Sequence, residues 1–245
     1  MSVNVGTFSI GEIYVGSDKI KEAYVGSDLV YQSTLPARTF RFKFSDASFN
    51  PSTTLASANL TWTAVNSASG IWDATNISTS TTPYSSLFSG LLSTTNMGSI
   101  TCELIAANTS DMTNAYGLFR NCSAITIIGK MDLSNVTNAT LMCGDCTKLG
   151  FFRDMNMDSL SIADGMFLHC GILQVIPDFG QLPNITTVQS MFQGCRYVNT
   201  GILALYNILS ARITTASKYR YCFRQCGDTS SSGSAELAQI PSGWK

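Results

Sequence analysis

Five segments of the chain share one register: SDMTNAYGLFRNC, SNVTNATLMCGDC, DSLSIADGMFLHC, PNITTVQSMFQGC and TTASKYRYCFRQC, ending at Cys122, Cys146, Cys170, Cys195 and Cys226. The steps between those cysteines are 24, 24, 25 and 31 residues, so the last copy carries an insertion near Ile202 to Arg212. A repeat of this period marks a stacked architecture, in which one unit cannot bury its apolar face alone and relies on its neighbours. A degenerate earlier copy, YSSLFSGLL, sets Leu87 and Phe88 in the Leu-Phe places and reads as a capping turn.

In the first full unit Met112, Ala115, Leu118, Phe119 and Cys122 fall at the spacing of one helix face. Asp111, Ser134 or Asn135, and Asn184 stand where a side-chain oxygen would cap such a helix. After each cysteine comes a short apolar stretch, Ile125 to Ile128, Leu149 to Phe152 and Leu173 to Ile176, long enough for one strand. The expected fold is therefore an α/β solenoid with a short helix and a short strand in each coil, its strands stacking about 4.8 Å apart.

Near the start, Tyr14-Val15-Gly16-Ser17-Asp18 recurs as Tyr24-Val25-Gly26-Ser27-Asp28. Gly-Ser-Asp is turn chemistry and the flanking Ile, Val and Tyr favour strands, which predicts a three-stranded antiparallel meander too thin to stand alone. The chain then divides into this module over 1–35, a β cap over 36–82 that holds Trp62 and Trp72, the repeat body over 83–228 and a tail over 229–245. Phe40 to Phe44 alternates aromatic and basic residues, as a half-buried strand would.

The units resemble the BspA-like leucine-rich repeats, whose pattern is a Ser/Asn-Val-Thr-Asn stretch, then Met-Phe-x-x-Cys, then spaced leucines. Met166-Phe167-x-x-Cys170 and Met191-Phe192-x-x-Cys195 carry the match, while Cys143 replaces phenylalanine and Cys222 replaces methionine in two other units. The resemblance covers roughly Leu87 to Cys226 and implies a leucine-rich-repeat solenoid that binds rather than reacts. The Tyr-Val-Gly-Ser segments are similar to those that begin many structural proteins of phages of gut bacteria. FRFKFSD from Phe40 and AELAQIPSGW from Ala235 resemble parts of repeat proteins of the same phages.

Fifteen basic and 16 acidic residues leave a formal net charge of −1, so no basic field attracts nucleic acid or anionic lipid. Charged residues make up only 13% of the chain against a usual value of about 25%, so the surface is expected to be polar but largely uncharged. The opening MSVNVGTFSIGEIYVG has neither a basic start nor an apolar stretch, and no apolar run matches a membrane helix. A soluble product without an export signal is expected, made in a reducing compartment where its eight cysteines stay as free, buried thiols.

Cys143-Gly-Asp-Cys146 has the spacing of a zinc half-site or redox pair, but no second pair accompanies it and the repeat places both cysteines in the core. His169, the only histidine, sits in a variable surface slot with no nucleophile motif. Asp154 with Asp158 is the nearest pair for glycosidase chemistry, and both read better as loop residues. No enzyme, cofactor or metal is expected.

These readings lead to a virion component, made in the host cytoplasm and released by lysis, associated with a tail or fibre. Its N-terminal module, with Tyr14, Tyr24 and Tyr31 as candidate docking residues, joins other virion proteins, and a trimer is compatible with a fibre. The concave strand face, with Thr126, Phe152, Arg153 and Gln174 as candidate binding residues, meets a host-surface glycan or protein. The alternatives are a purely structural decoration protein of capsid or tail, and a bacterial surface adhesin.

Overall fold

Phenylalanine at every second position of Thr39–Phe44 decides how the central sheet is built. Phe40, Phe42 and Phe44 are buried, while Arg41 and Lys43 face the other way. The computed structural model describes residues 35–227 and 235–245 in full, and before them the backbone of four strands, β1 (Ile13–Val15), β2 (Asp18–Ile20), β3 (Glu22–Val25) and β4 (Asp28–Gln32). The remaining strands are β5 (Thr39–Phe44), β6 (Leu60–Asn66), β7 (Ile71–Asn76), β8 (Cys102–Ala107), β9 (Ile125–Lys130) and β10 (Phe151–Phe152).

The strands β5 to β10 form one mixed, open sheet in the order β10-β9-β8-β5-β7-β6. The pairs β10-β9 and β9-β8 are parallel and the others antiparallel. Across β5 and β7 the paired residues Arg41 and Asp73 form a two-point ion pair at 2.8 and 2.9 Å, both side chains largely shielded. The β5–β7 segment thus continues directly into the strands of the repeat body through β8.

The structure corrects two expectations from the sequence. The three-stranded meander is instead two separate antiparallel pairs, β1 with β2 and β3 with β4, in which Val15 pairs with Asp18 and Val25 with Asp28. The α/β leucine-rich-repeat solenoid with a helix in each coil is also not what forms. Met112–Cys122 and its counterparts ending at Cys146, Cys170 and Cys195 are successions of turns, and of the five α-helices of the described residues only the four-residue one at Ala216–Tyr219 falls within a repeat segment. The five are α1 (Pro51–Thr54), α2 (Thr94–Met97), α3 (Ile202–Ser210), α4 (Ala216–Tyr219) and α5 (Ala235–Ala238). The nine-residue α3 occupies the insertion that lengthens the last repeat.

The backbone hydrogen bonds show why turns replace the helix. In the tier from Ala115 to Cys122, the amides of Leu118, Arg120 and Cys122 bond back to the carbonyls of Ala115, Gly117 and Phe119. The alternate amides of Ala115, Gly117, Phe119 and Asn121 reach instead to Asn138, Thr140, Met142 and Gly144 of the next tier. The same alternation joins Ala139–Asp145 to Ile162–Leu168, Ala163–His169 to Thr187–Gln193, and Val188–Gly194 to Lys218–Arg224. A helix would consume every amide internally, whereas this ribbon spends half of them on stacking.

The alternation requires left-handed backbone at two positions per tier, four residues apart: Gly117 and Asn121, Leu141 and Asp145, Gly165 and His169, Ser190 and Gly194, Tyr221 and Gln225. Glycine, asparagine and aspartate tolerate that conformation best, which accounts for their recurrence. At Gly194 the φ is +80°, and an added Cβ would lie 2.6 Å from the His169 ring. Gly194→Ala is expected to lower stability by about 1–2 kcal/mol, the cost of left-handed backbone for a residue with a Cβ, read as a shift of the urea midpoint.

Side chains on the inner side of the ribbon form columns against the sheet. Ala115, Leu118, Phe119 and Cys122 and their equivalents in later tiers are buried, except that Tyr219, in the place of Ala115 in the last tier, is half-buried. Phe88 stacks on Phe119 at 5.4 Å, and Phe167 on Phe192 at 5.0 Å, with Cys143 interrupting the aromatic column between them. At the far end the amide of Phe223 bonds to the carbonyl of Trp244, whose ring lies 4.2 Å from Tyr219 and nearly parallel to it, so the C-terminal residues close the stack.

The repeated cysteine has a specific task. The thiols of Cys122, Cys146, Cys170 and Cys195 donate to the carbonyls of Phe88, Phe119, Cys143 and Phe167 of the preceding tier at 2.9 to 3.1 Å. Cysteine combines a small apolar body with a weak donor, which suits a buried site that needs both. All eight cysteines are buried and unbridged.

Candidate functional site

Each strand tier after a repeated cysteine presents the same local pattern, two outward residues between two buried ones. Ile125 and Ile128 flank Thr126 and Ile127; Leu149 and Phe152 flank Gly150 and Phe151; Leu173 and Ile176 flank Gln174 and Val175. Two consecutive residues share the outer face in β9 because of a bulge in the pairing with β8, where Cys102 meets Ile125 but Glu103 meets Ile127. The carbonyl of Thr126 accepts from Gly150, and that of Gln174 accepts from Asn199, so the pattern passes from tier to tier in register.

The outcome is a face with two columns of outward residues, paired in register from Glu103 to Phe151 and again from Val175 to Thr200. One column is polar and uncharged, Thr126, Gly150, Gln174 and Asn199; the other runs Glu103, Ile127, Phe151, Val175 and Thr200. Phe151 is 54% and Val175 55% exposed, a large apolar display for adjacent tiers. Ile172, within reach of Gly150, and Tyr197, one repeat further on, widen the apolar border.

Three of the four candidate binding residues from the sequence lie on this face. Thr126 is half-buried, its hydroxyl donating to the Cys102 carbonyl at 3.2 Å. Gln174 and Arg153 are exposed. Phe152 is the exception, 2% exposed and packed edge-on against Phe167 at 5.0 Å. It belongs to the core, and its neighbour Phe151 takes the outward place expected for Phe152. Tyr14, Tyr24 and Tyr31 fall in β1, β3 and β4, and their side chains lie outside the described residues.

Asp154 accepts from the amide of Asp178 at 2.9 Å; at Asp158 it is the backbone carbonyl that accepts from the Asn184 side chain at 2.8 Å, while the carboxyl Oδ1 is buried with no hydrogen-bond partner among the described residues. His169 meets Asp145 of the preceding tier at 2.9 Å on the exposed ribbon surface. Asp111, expected to cap a helix, binds Arg38 at 2.8 Å and accepts from the Tyr84 hydroxyl. Burial works to raise the Asp111 carboxyl, but the hydrogen bonds from Tyr84 and Arg38 and the Arg38 charge outweigh it and hold the group below the ordinary range. Among the described residues no group of three or more His, Cys, Asp or Glu side chains is arranged to hold a metal ion. Among the same residues no helix is long and apolar enough to cross a membrane.

Comparison with known proteins gives no match to a family, to a curated protein or to a solved structure.

Proposed function

We propose that this protein is a phage virion component that recognises a host-surface glycan through the outer face of its sheet, while the N-terminal strand pairs join it to the particle. The observation that carries the reading is the exposure of Phe151 and Val175 on that face, with the Thr126 hydroxyl and the side-chain amides of Gln174 and Asn199 in the neighbouring column. A sugar ring offers apolar C–H faces and a rim of hydroxyls. Such a ligand matches an aromatic flanked by uncharged hydrogen-bonding side chains. The resemblance of the Tyr-Val-Gly-Ser segments and of the flanking stretches to phage structural proteins supports the virion assignment.

The test begins with purified particles, separated into heads and tails and analysed by mass spectrometry. The protein is expected in the tail fraction, and its absence from particles overturns the virion reading. Binding of the purified chain to host cells follows. Phe151→Ala is expected to weaken it by about tenfold or more, as for a central aromatic anchor. Unchanged binding with Phe151→Ala, with particles that adsorb normally but break readily when the gene is removed, would assign the protein to decoration instead.

A further inference from the structure

The charge of the stack is sorted along its length. Residues 132–178 hold six aspartates against Lys148 and Arg153, whereas residues 179–227 hold Arg196, Arg212, Lys218, Arg220 and Arg224 and no acidic residue. A net charge of −1 for the whole chain conceals this separation.

Two of these arginines are built into one unit. The guanidinium carbons of Arg220 and Arg224 lie 4.6 and 4.8 Å from the centre of the same ring, Tyr221. Tyr221 is held at φ +63°, the Arg220 carbonyl accepts from Ser190, and the Arg224 carbonyl accepts from Gly194. The backbone under both side chains is therefore fixed by the ladder, and the ring gives both guanidiniums a cation–π rest that limits their freedom before any ligand arrives. Arg220, Arg224 and Lys218 are exposed, and neither arginine forms an ion pair among the described residues.

The neighbouring ribbon positions are the neutral amides of Gln189 and Gln193, one tier away. The carboxylate nearest in the same column, Asp164, is engaged by the Thr187 hydroxyl at 2.7 Å and the Gln189 amide at 2.8 Å. The adjacent tier contributes no acidic residue of its own, and the Asp164 carboxylate that reaches it is already held by two donors.

We infer that Arg220, Tyr221 and Arg224 form an oxyanion site that engages phosphate or carboxylate groups of an anionic polymer. Guanidinium recognises planar or tetrahedral oxyanions through paired N–H donors, and two of them on one ring match neighbouring charges of a repeating chain. The site lies on the turn ribbon rather than on the outer sheet face, so it stands or falls independently of the glycan reading.

The full-length chain is titrated with long-chain polyphosphate, with polygalacturonate and with neutral dextran, at low and at physiological salt. Binding to one or both polyanions and none to dextran is expected, weakening as salt rises. Polyphosphate alone identifies phosphate as the group recognised, and binding of polygalacturonate shows that carboxylate is accepted as well. Arg220→Gln with Arg224→Gln is expected to weaken binding roughly tenfold or more. Arg220→Lys with Arg224→Lys, which keeps the charge without the fork, should fall between the two. Lys130→Gln with Lys148→Gln is expected to bind as the wild type does, which separates this site from general charge. Failure of both polyanions to bind, or equal binding by the double glutamine variant, overturns the assignment. So does concentration-dependent self-association that the same variant abolishes, because the partner would then be the acidic stretch of a second copy.

Discussion

Raising the pH from 8 to 10.5 in the presence of a reductant is expected to unfold this protein in a single steep transition. Burial pushes the thiols of Cys102, Cys122, Cys143, Cys170, Cys195 and Cys222 above their ordinary value. In the unfolded chain the same thiols ionise near pH 8.5. Their contribution to stability is therefore complete below that pH and is lost as the pH climbs toward the raised folded values. Beyond the unfolded value each thiol removes about 1.4 kcal/mol per pH unit, so six remove about 8 kcal/mol, on the order of a whole domain's stability. Urea melts at pH 7, 8.5, 9.5 and 10 give the number of protons released from the slope. Cys122→Ala combined with Cys195→Ala should lower that number by two. A urea midpoint that stays constant to pH 10 would show that the thiols are not held neutral in the core.

Phe167→Ala is the substitution expected to cost most in the repeat body, about 3–5 kcal/mol. Its ring lies 5.0 Å from Phe152, 5.0 Å from Phe192 and 5.9 Å from Phe179, so removal leaves a cavity bounded by three aromatics with little room to collapse. The backbone of Phe167 is also fixed, its amide on Met191 and its carbonyl accepting the Cys195 thiol. Phe151→Ala, by contrast, should change stability by no more than about 0.5 kcal/mol. Denaturant unfolding of the two variants measures the difference, and similar losses for both would mean that Phe151 is not on the surface.

Much of this arrangement is written in the chain, though not in the form that its spacing first suggests. The register of the repeats and the buried cysteine column are legible, because apolar positions recur every 24 or 25 residues. The strand expected after each cysteine, by contrast, forms over Ile125–Lys130, shrinks to Phe151–Phe152 and is reduced at Val175 to a single bridge with Thr200. The helix expectation fails because Met112, Ala115, Leu118, Phe119 and Cys122 lie three or four residues apart, a spacing also produced by linked turns whose hydrogen bonds close over three residues. The signal that separates the two is the recurrence of glycine, asparagine and aspartate at Gly117, Asn121, Asp145, Gly165 and Gly194, each at positive φ. Helix spacing says nothing about handedness at single residues, so the pattern of apolar positions alone cannot reveal it.

The binding face shows the same division. Thr126, Arg153 and Gln174 can be placed outward from the sequence, but Phe151 and Phe152 are adjacent and chemically identical. A shift of one residue exchanges the inside of a strand for its outside, and only the tertiary structure chooses between them. Pairing of Phe151 with the outward Ile127 and of Phe152 with the buried Ile128 sets that choice here, and it leaves no mark in the repeat spacing.

The inter-tier amides also determine how the molecule carries a mechanical load. Every rung from Gly90–Arg120 to Phe223–Trp244 spans one gap between tiers, and each gap of the ribbon is bridged by a few such bonds. A pull along the stack loads these gaps in series, so the tiers would separate in succession from an end. A pull across it shears all the bonds of a gap together and meets far greater resistance.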